Sequence, residues 1–231
     1  MKAITLIITY FNQKDFLKKI VTDWKMWSEE VRNSFHFCIV DDCSKIKATD
    51  ALSDVQLNDL DIAIYRVSED KPWNQHGAAN LGMKMCPTEY AIILDMDTVV
   101  TEKFAIDLLK LTKLDRKNIA YKFKRKFLNG KKHTAHPKVC FLNKNSFWEV
   151  DGYDEDFCGN YGHDDDLFWW KWKLHKKKIV LKKDMFLIID TDGDSEFEER
   201  NCSINEKLYN EKVRTKSWSK DCIRFNSERV L

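Results

Sequence analysis

Short, β-branched apolar runs alternate with helix-period segments through the first half of this chain, and several of the runs stop at carboxylates. Ala3–Thr9 reads as a buried strand, and "DFLKKIVTDWKMWSEEV" places Phe16, Leu17, Ile20, Val21, Trp24 and Trp27 on one helical face. A second strand, Phe35–Val40, ends in Asp41-Asp42. A short helix around Thr49–Ser53 and a third strand, Ile62–Val67, follow. "QHGAANLGMKMC" reads as a helix whose small residues allow close packing, and the run Tyr90–Leu94 delivers Asp95 and Asp97. Repeated βα units demand a mostly parallel sheet with helices on both faces. The fold class is α/β.

The second half changes character. "IAYKFKRKFLNGKKHTAHPKVCFLN" predicts two strands around the turn signal Asn129-Gly130. Asn143–Val150 reads as a short helix, 151–166 as a Gly/Asp/Tyr-rich loop, "DLFWWKWKLHKK" as a helix and "KIVLKKDMFLIID" as one or two strands. The chain then turns polar and charged.

The pair Asp95 and Asp97 raises the chemical question. Residues i and i+2 of a strand share a face, so the two carboxylates are expected side by side and in need of a cation. Hard ions such as Mg²⁺ or Mn²⁺ prefer carboxylate oxygen. Asp-x-Asp also serves as a turn, a helix cap or a solvated edge. Position brings a ligand site level with those readings, because open α/β sheets bind ligands at the carboxyl ends of their strands.

At 231 residues with 43% hydrophobic side chains, the chain supports a large core and is not a disordered segment. A net charge of +2 argues against a dedicated nucleic-acid binder. The basic clusters "YKFKRKFLNGKK" and "LHKKKIVLKK" read as solvated faces or as contacts for phosphate or an anionic surface. Seven Cys, at 38, 43, 86, 140, 158, 202 and 222, lack C-x-x-C spacing and fit reduced thiols in a cytoplasmic setting. "MKAITLIITYF" is too short and too β-branched for a signal or anchor, and no later run would span a bilayer, so a soluble protein is expected.

The motifs "TLIITYFNQ", "CIVDDCS", "HGAANLGM", "AIILDMDTVV" and "DGYDEDFCGNYGHDDDL", in this order, resemble those of GT-A glycosyltransferases. The likeness is to the inverting family-2-like group, and the last motif is similar to the Gly-Glu-Asp segment of galactosyltransferases. It spans about residues 3 to 190. The resemblance implies a Rossmann-like GT-A fold with a mostly parallel sheet and a small antiparallel element. It places a catalytic domain at 1–194 and leaves 195–231 as a charged, helical C-terminal extension. It also implies a nucleotide-sugar donor, a UDP-sugar by preference, a carbohydrate or glycoconjugate acceptor, and Mn²⁺ or Mg²⁺ on the donor diphosphate.

Carried over position by position, the resemblance assigns Thr9, Tyr10 and Asn12 to the nucleotide sugar, with Asp41 and Asp42 near the base and ribose. The alternative for that Asp pair is a turn or a helix cap. Lys71 stands where relatives often have Arg, and Asn74, Gly77 and Asn80 follow on the nucleotide-facing loop and helix. Asp95 and Met96 meet the donor; Asp95 and Asp97 hold the metal. Relatives often add a His after the last strand, where this chain offers Asp190 and Asp192; His133 and His136 are weaker candidates. His163 replaces the Glu of Gly-Glu-Asp, so Asp164 takes the general-base position with Asp165 behind it. Helix capping accounts for part of the Asp164–Asp166 run. Trp73, Trp169, Trp170 and Trp172 read first as core. A nucleotidyltransferase would want a Gly-rich phosphate loop after the first strand, which "TYFNQKDF" lacks. A non-catalytic carbohydrate-binding module would not need Asp95, Asp97 and Asp164.

Overall fold

The computed structural model describes residues 2–114, 116–190 and 200–231. Four parallel strands form the heart of the sheet: β1 (Ile4–Tyr10), β2 (Phe35–Asp41), β3 (Ile62–Val67) and β4 (Tyr90–Leu94), in the order β3-β2-β1-β4. The connections carry α1 (Lys14–Lys25), α2 (Glu29–Arg32), α3 (Ala48–Ala51) and α4 (Gln75–Met85). The mostly parallel centre is the α/β architecture expected from the alternation.

Side-chain alternation along β1 splits the core into two layers. Leu6, Ile8 and Tyr10 face α1, where Leu17, Ile20, Val21 and Trp24 are buried and Trp24 meets Phe37 at 4.6 Å between ring centroids. Ile7 faces α4 on the other side. Each large side chain so buried contributes about 1.5–3 kcal/mol. α4 lies close against β1 because it is built of small residues: a Cβ on Gly82 would stand 2.5 Å from Ile7 Cγ2.

Beyond β4 the sheet becomes mixed. The short β5 (Thr98–Val99) leads into α5 (Glu102–Thr112), whose first turn is capped by Thr101 Oγ1 accepting from Phe104 N at 3.3 Å. β6 (Ile119–Phe127) turns at Gly130 (φ 85°) into β7 (Lys132–His133), which is two residues long. The return strand predicted there is thus interrupted. Residues 134–139, which include Pro137 with no N–H to give, leave the ladder before β8 (Cys140–Asn143) pairs antiparallel with β4. α6 (Lys144–Trp148), α7 (Asp164–Leu174) and β9 (Lys178–Ile189) follow, with β9 running parallel to β6 and antiparallel to β5. Phe147, Tyr153, Phe168 and Trp172 form the second aromatic cluster, under α6 and α7.

The segment from residue 200 contains the expected helix, α8 (Ser203–Thr215), and then a strand, β10 (Ser227–Arg229), laid antiparallel on β3 at the sheet edge. Lys212 of α8 pairs with Asp154 at 2.9 Å and Asp156 at 2.6 Å, binding this segment to the loop before α7. All seven Cys are free. Among the described residues no helix is long and apolar enough to cross a membrane.

Candidate active site

The carboxyl ends of β1, β2 and β4 converge with the start of α4, as the strand-end argument requires. The adjacent carboxylates Asp41 and Asp42 have different fates. Asp41 is buried; it accepts from Ser44 N at 2.8 Å and Ala48 N at 2.9 Å and pairs with Arg66. It is the helix-capping, structural member of the pair. Asp42, also buried, accepts from Asn74 Nδ2 at 2.7 Å and keeps acceptor capacity. Burial pushes its carboxyl up to about 6, against the opposing pull of Asn74 and Lys138. Tyr10 belongs to the core, its hydroxyl donating to Ile46 O at 2.9 Å. Asn12 is exposed with φ 53°, and its Oδ1 accepts from Lys45 N at 2.8 Å. Thr9 faces the α4 side, where its hydroxyl accepts from Lys138 Nζ at 2.6 Å.

Asp95 and Asp97 do not share a strand face. β4 ends at Leu94, and the pair lies in a turn closed by Thr98 N donating to Asp95 O at 3.0 Å. The two carboxylates consequently meet different cations. Asp95 has His136 Nε2 at 3.2 Å and Lys138 Nζ at 3.8 Å; Asp97 has Arg125 at 4.0 Å and accepts from Thr98 Oγ1 at 3.0 Å. Burial opposes ionisation of Asp95, but Lys138 and His136 prevail and hold it below the usual carboxylate range. Burial, then the charge of Asp95, raises Asp97. Met96 between them is buried in the α1-side core.

As a donor set for a hard cation, Asp95 and Asp97 fit: both are carboxylates, each about 30% exposed (28% and 30%), at a strand-end turn. Asp190 is adjacent, its N–H donating to Asp97 O at 3.1 Å, but its carboxylate is taken by Lys19. Asp192 lies outside the described residues. His133 sits against Arg125 on the hairpin, away from this turn in its contacts.

The third part of the site joins α4 to the loop before α7. Gly162 (φ 96°) and His163 (φ 64°) turn the chain so that Asp164, Asp165 and Asp166 occupy the first turn of α7, where the helix dipole favours negative charge. His76, in the first turn of α4, is buried between Asp164 and Asp165. Among the described residues these three are the one set of His, Cys, Asp or Glu whose ligand atoms lie within 4.8 Å of one another. Burial works against a charged imidazole, yet the two carboxylates outweigh it and push His76 up to about 9. Asp164 in turn is held below its ordinary value, the nearby His76 overcoming burial. His163 itself contacts Asp166 at 3.0 Å and stacks on Tyr209.

Other expected residues take structural positions. Asn80 is fully buried and ties α4 to the loop after α6: its Nδ2 donates to Tyr153 O at 2.9 Å and Glu155 Oε1 at 2.8 Å, and its Oδ1 accepts from Tyr153 N at 2.9 Å. A Cβ on Gly77 would stand 2.3 Å from Asn74 Oδ1, so glycine here keeps Asn74 on Asp42. Lys71 donates to Arg224 O and lines, with Asn74, Glu155, Cys158 and Arg224, a cavity of about 290 Å³. Trp172 is core, whereas Trp73 is 40% exposed and meets the Tyr161 ring edge-on at 4.9 Å.

Sequence reasoning passed over Lys138 and His76 and ranked His136 low. Lys138 is completely buried and also donates to Gln75 Oε1 at 3.3 Å, so one ammonium links β1, α4 and the Asp95 turn. The available signal was "HPK" at 136–138, a cationic pair about a helix- and strand-breaking Pro.

A strand-end site of this kind, fed by β1, β2, β4 and the start of α4, defines a ligand-binding α/β domain. Residues 5–184 match the family described as Glycosyl transferase family 2, and the chain belongs to that family. The fold is similar to that of S. aureus TarS 1-349 in complex with UDP-GlcNAc, with a TM-score of 0.64 at 13% identity, over 84% of this chain and 60% of that one. The chain therefore spans about three fifths of that TarS chain. It is also similar to the mannosyltransferase PcManGT from Pyrobaculum calidifontis in complex with GDP-Man and Mn²⁺, with a TM-score of 0.65 at 13% identity, over 83% of this chain and 58% of that one. No curated protein matches the chain at a significant level.

Proposed function

We propose that this chain is an inverting glycosyltransferase that moves a sugar from a nucleotide-diphosphate sugar, a UDP-sugar by preference, to a hydroxyl of a glycan or glycoconjugate. The observation that carries the reading is the convergence of Thr9, Asp42, Asn74 and Asp95 around Lys138 at the strand ends, with the Asp164 carboxylate in the first turn of α7. Family membership and neighbours solved with UDP-GlcNAc and GDP-Man support it.

In this reading Asp42, with Asn74 bracing it, accepts from a base N–H or ribose hydroxyl. Lys138, enclosed beneath the Asp95 turn, sets a fixed positive charge under the strand ends that favours an anionic donor there, and works without reorganising because it is already buried and hydrogen-bonded. Asp95 and Asp97 are the residues that would hold Mn²⁺ or Mg²⁺, which supplies Lewis-acid neutralisation of the departing diphosphate. Asp164 takes the proton from the acceptor hydroxyl as the new glycosidic bond forms and the sugar–phosphate bond breaks. Trp73, an exposed ring that meets the half-buried Tyr161 edge-on beside the loop before α7, suits an acceptor sugar ring.

The test is a panel of nucleotide sugars, each with Mn²⁺, Mg²⁺ or EDTA, read by nucleoside-diphosphate release. One donor should be turned over in a metal-dependent way. Asp164→Asn should lower its turnover about 10²–10⁴-fold with donor binding retained. Turnover by Asp164→Asn near the parent rate would remove Asp164 from the mechanism.

A further inference from the structure

Both ring nitrogens of the buried His76 face carboxylates: Nδ1 faces Asp164, and Nε2 lies 3.0 Å from Asp165 Oδ1. A neutral imidazole offers one donor and one acceptor, whereas an ionised carboxylate only accepts. Two carboxylates are satisfied together either by an imidazolium or by a proton residing on one of the acids. The surroundings favour the imidazolium. The Tyr153 ring lies against His76 at 4.4 Å, and burial holds its hydroxyl uncharged. Cys140 of β8 is pushed by burial up to about 12 and contributes no charge at neutral pH. Lys122 of β6 and His136 are the remaining titratable neighbours whose own ionisation feels Asp165: burial lowers both, and the Asp165 charge works the other way. The trio opens outward through its acids: His76 keeps 2% of its side chain exposed, against 12% for Asp164 and 16% for Asp165.

We propose that His76 is a positioning residue for sugar transfer: a protonated imidazole behind Asp164 and Asp165 that fixes the orientation of the Asp164 carboxylate and keeps it ionised. This rests on the reading of Asp164 as the base. Asp165 is the second anchor, gripping the far side of the ring so that the imidazole cannot rotate away. The connection joins α4, whose start also carries Asn74 and Gln75 toward the donor side, to the first turn of α7, which carries the base. Donor-side and acceptor-side chemistry thus share one helix terminus.

Long-range ¹H–¹⁵N spectra of the imidazoles, recorded on the parent from pH 5 to 10, test this directly; His76 is assigned by the signal lost in His76→Gln. The parent His76 should show the doubly protonated pattern through pH 8, and Asp165→Asn should lower its midpoint by about one pH unit or more. With the donor that the panel selects, His76→Gln should lower kcat about tenfold or more at a nearly unchanged donor KM. The acid limb of kcat should move to higher pH, since Asp164 loses the charge that held its pKa down. A neutral His76 at pH 7 in the parent overturns the proposal, as does a His76→Gln enzyme with the parent's kcat and acid limb. A protonated His76 together with a fully active Asp164→Asn overturns it differently: the base assignment then fails while the charged trio stands.

Discussion

Replacing Lys138 by Met keeps the length and volume of the side chain and removes only its charge and donors. In the parent, Nζ is fully enclosed, donating to Thr9 Oγ1 at 2.6 Å and Gln75 Oε1 at 3.3 Å and standing 3.8 Å from Asp95. Breaking a fully buried pair by deleting one partner costs about 3–5 kcal/mol. Asp95 is 28% exposed and retains His136, so solvent and that neighbour recover part of the loss, leaving about 2–3 kcal/mol. For a chain of this size each kcal/mol shifts Tm by about 2–4 °C, so the variant should melt about 4–12 °C below the parent in EDTA at pH 7. Lys138 is also the strongest of the cations holding Asp95 below its usual range, so Asp95 becomes freer to bind a divalent ion. Scanning calorimetry with and without Mn²⁺ should show the variant recovering more stability from the ion than the parent does. A Tm in EDTA equal to the parent's would refute the view that this ammonium holds the strand ends together.

Two further outcomes follow from the same geometry. Because burial lifts Asp42 to about 6, its carboxylate becomes the charged acceptor as pH rises through that value. UDP affinity measured by calorimetry should therefore strengthen from pH 5 to 7 with a midpoint near 6; Asp42→Asn should flatten that dependence, and an unchanged midpoint in the variant would exclude Asp42 as its source. Gly82→Ala places a Cβ 2.5 Å from Ile7 Cγ2, so overpacking of about 1–3 kcal/mol should outweigh the helix-propensity gain of about 1 kcal/mol and lower Tm. A raised Tm would show that α4 is free to shift away from β1.

Local periodicity carried the architecture. The β-branched runs at Ile4–Tyr10, Phe35–Asp41, Ile62–Val67 and Tyr90–Leu94 became the parallel core, and the amphipathic stripe of Leu17, Ile20, Val21 and Trp24 became a buried helix face. Strand and helix repeats are set by neighbours a few residues apart, and a carboxylate that ends an apolar run must lie at the rim of the sheet. That was enough to put Asp42 and Asp95 at the rim of the sheet, whereas Asp164 follows a loop and was singled out only through the resemblance of the motif that carries it. The small residues of "HGAANLG" likewise announced a close helix, which Gly82 against Ile7 bears out.

Partnership among charges arose only from folding, because it joins residues far apart along the chain. Lys138 reaches Thr9 across 129 positions, and His76 reaches Asp165 across 89. Nothing local separates Asp41 from Asp42, yet one is consumed by Ser44, Ala48 and Arg66 while the other stays open. The strand face assumed for Asp95 and Asp97 gave way to a turn, since the ladder of β4 stops at Leu94 and Thr98 closes back on Asp95. The polar residues after 200 likewise carry no strong strand pattern, but the open edge of β3 has N–H and C=O groups to satisfy, and Ser227–Arg229 satisfies them. Periodicity decides which residues are enclosed and which reach the rim; which charge neutralises which depends on where distant loops meet.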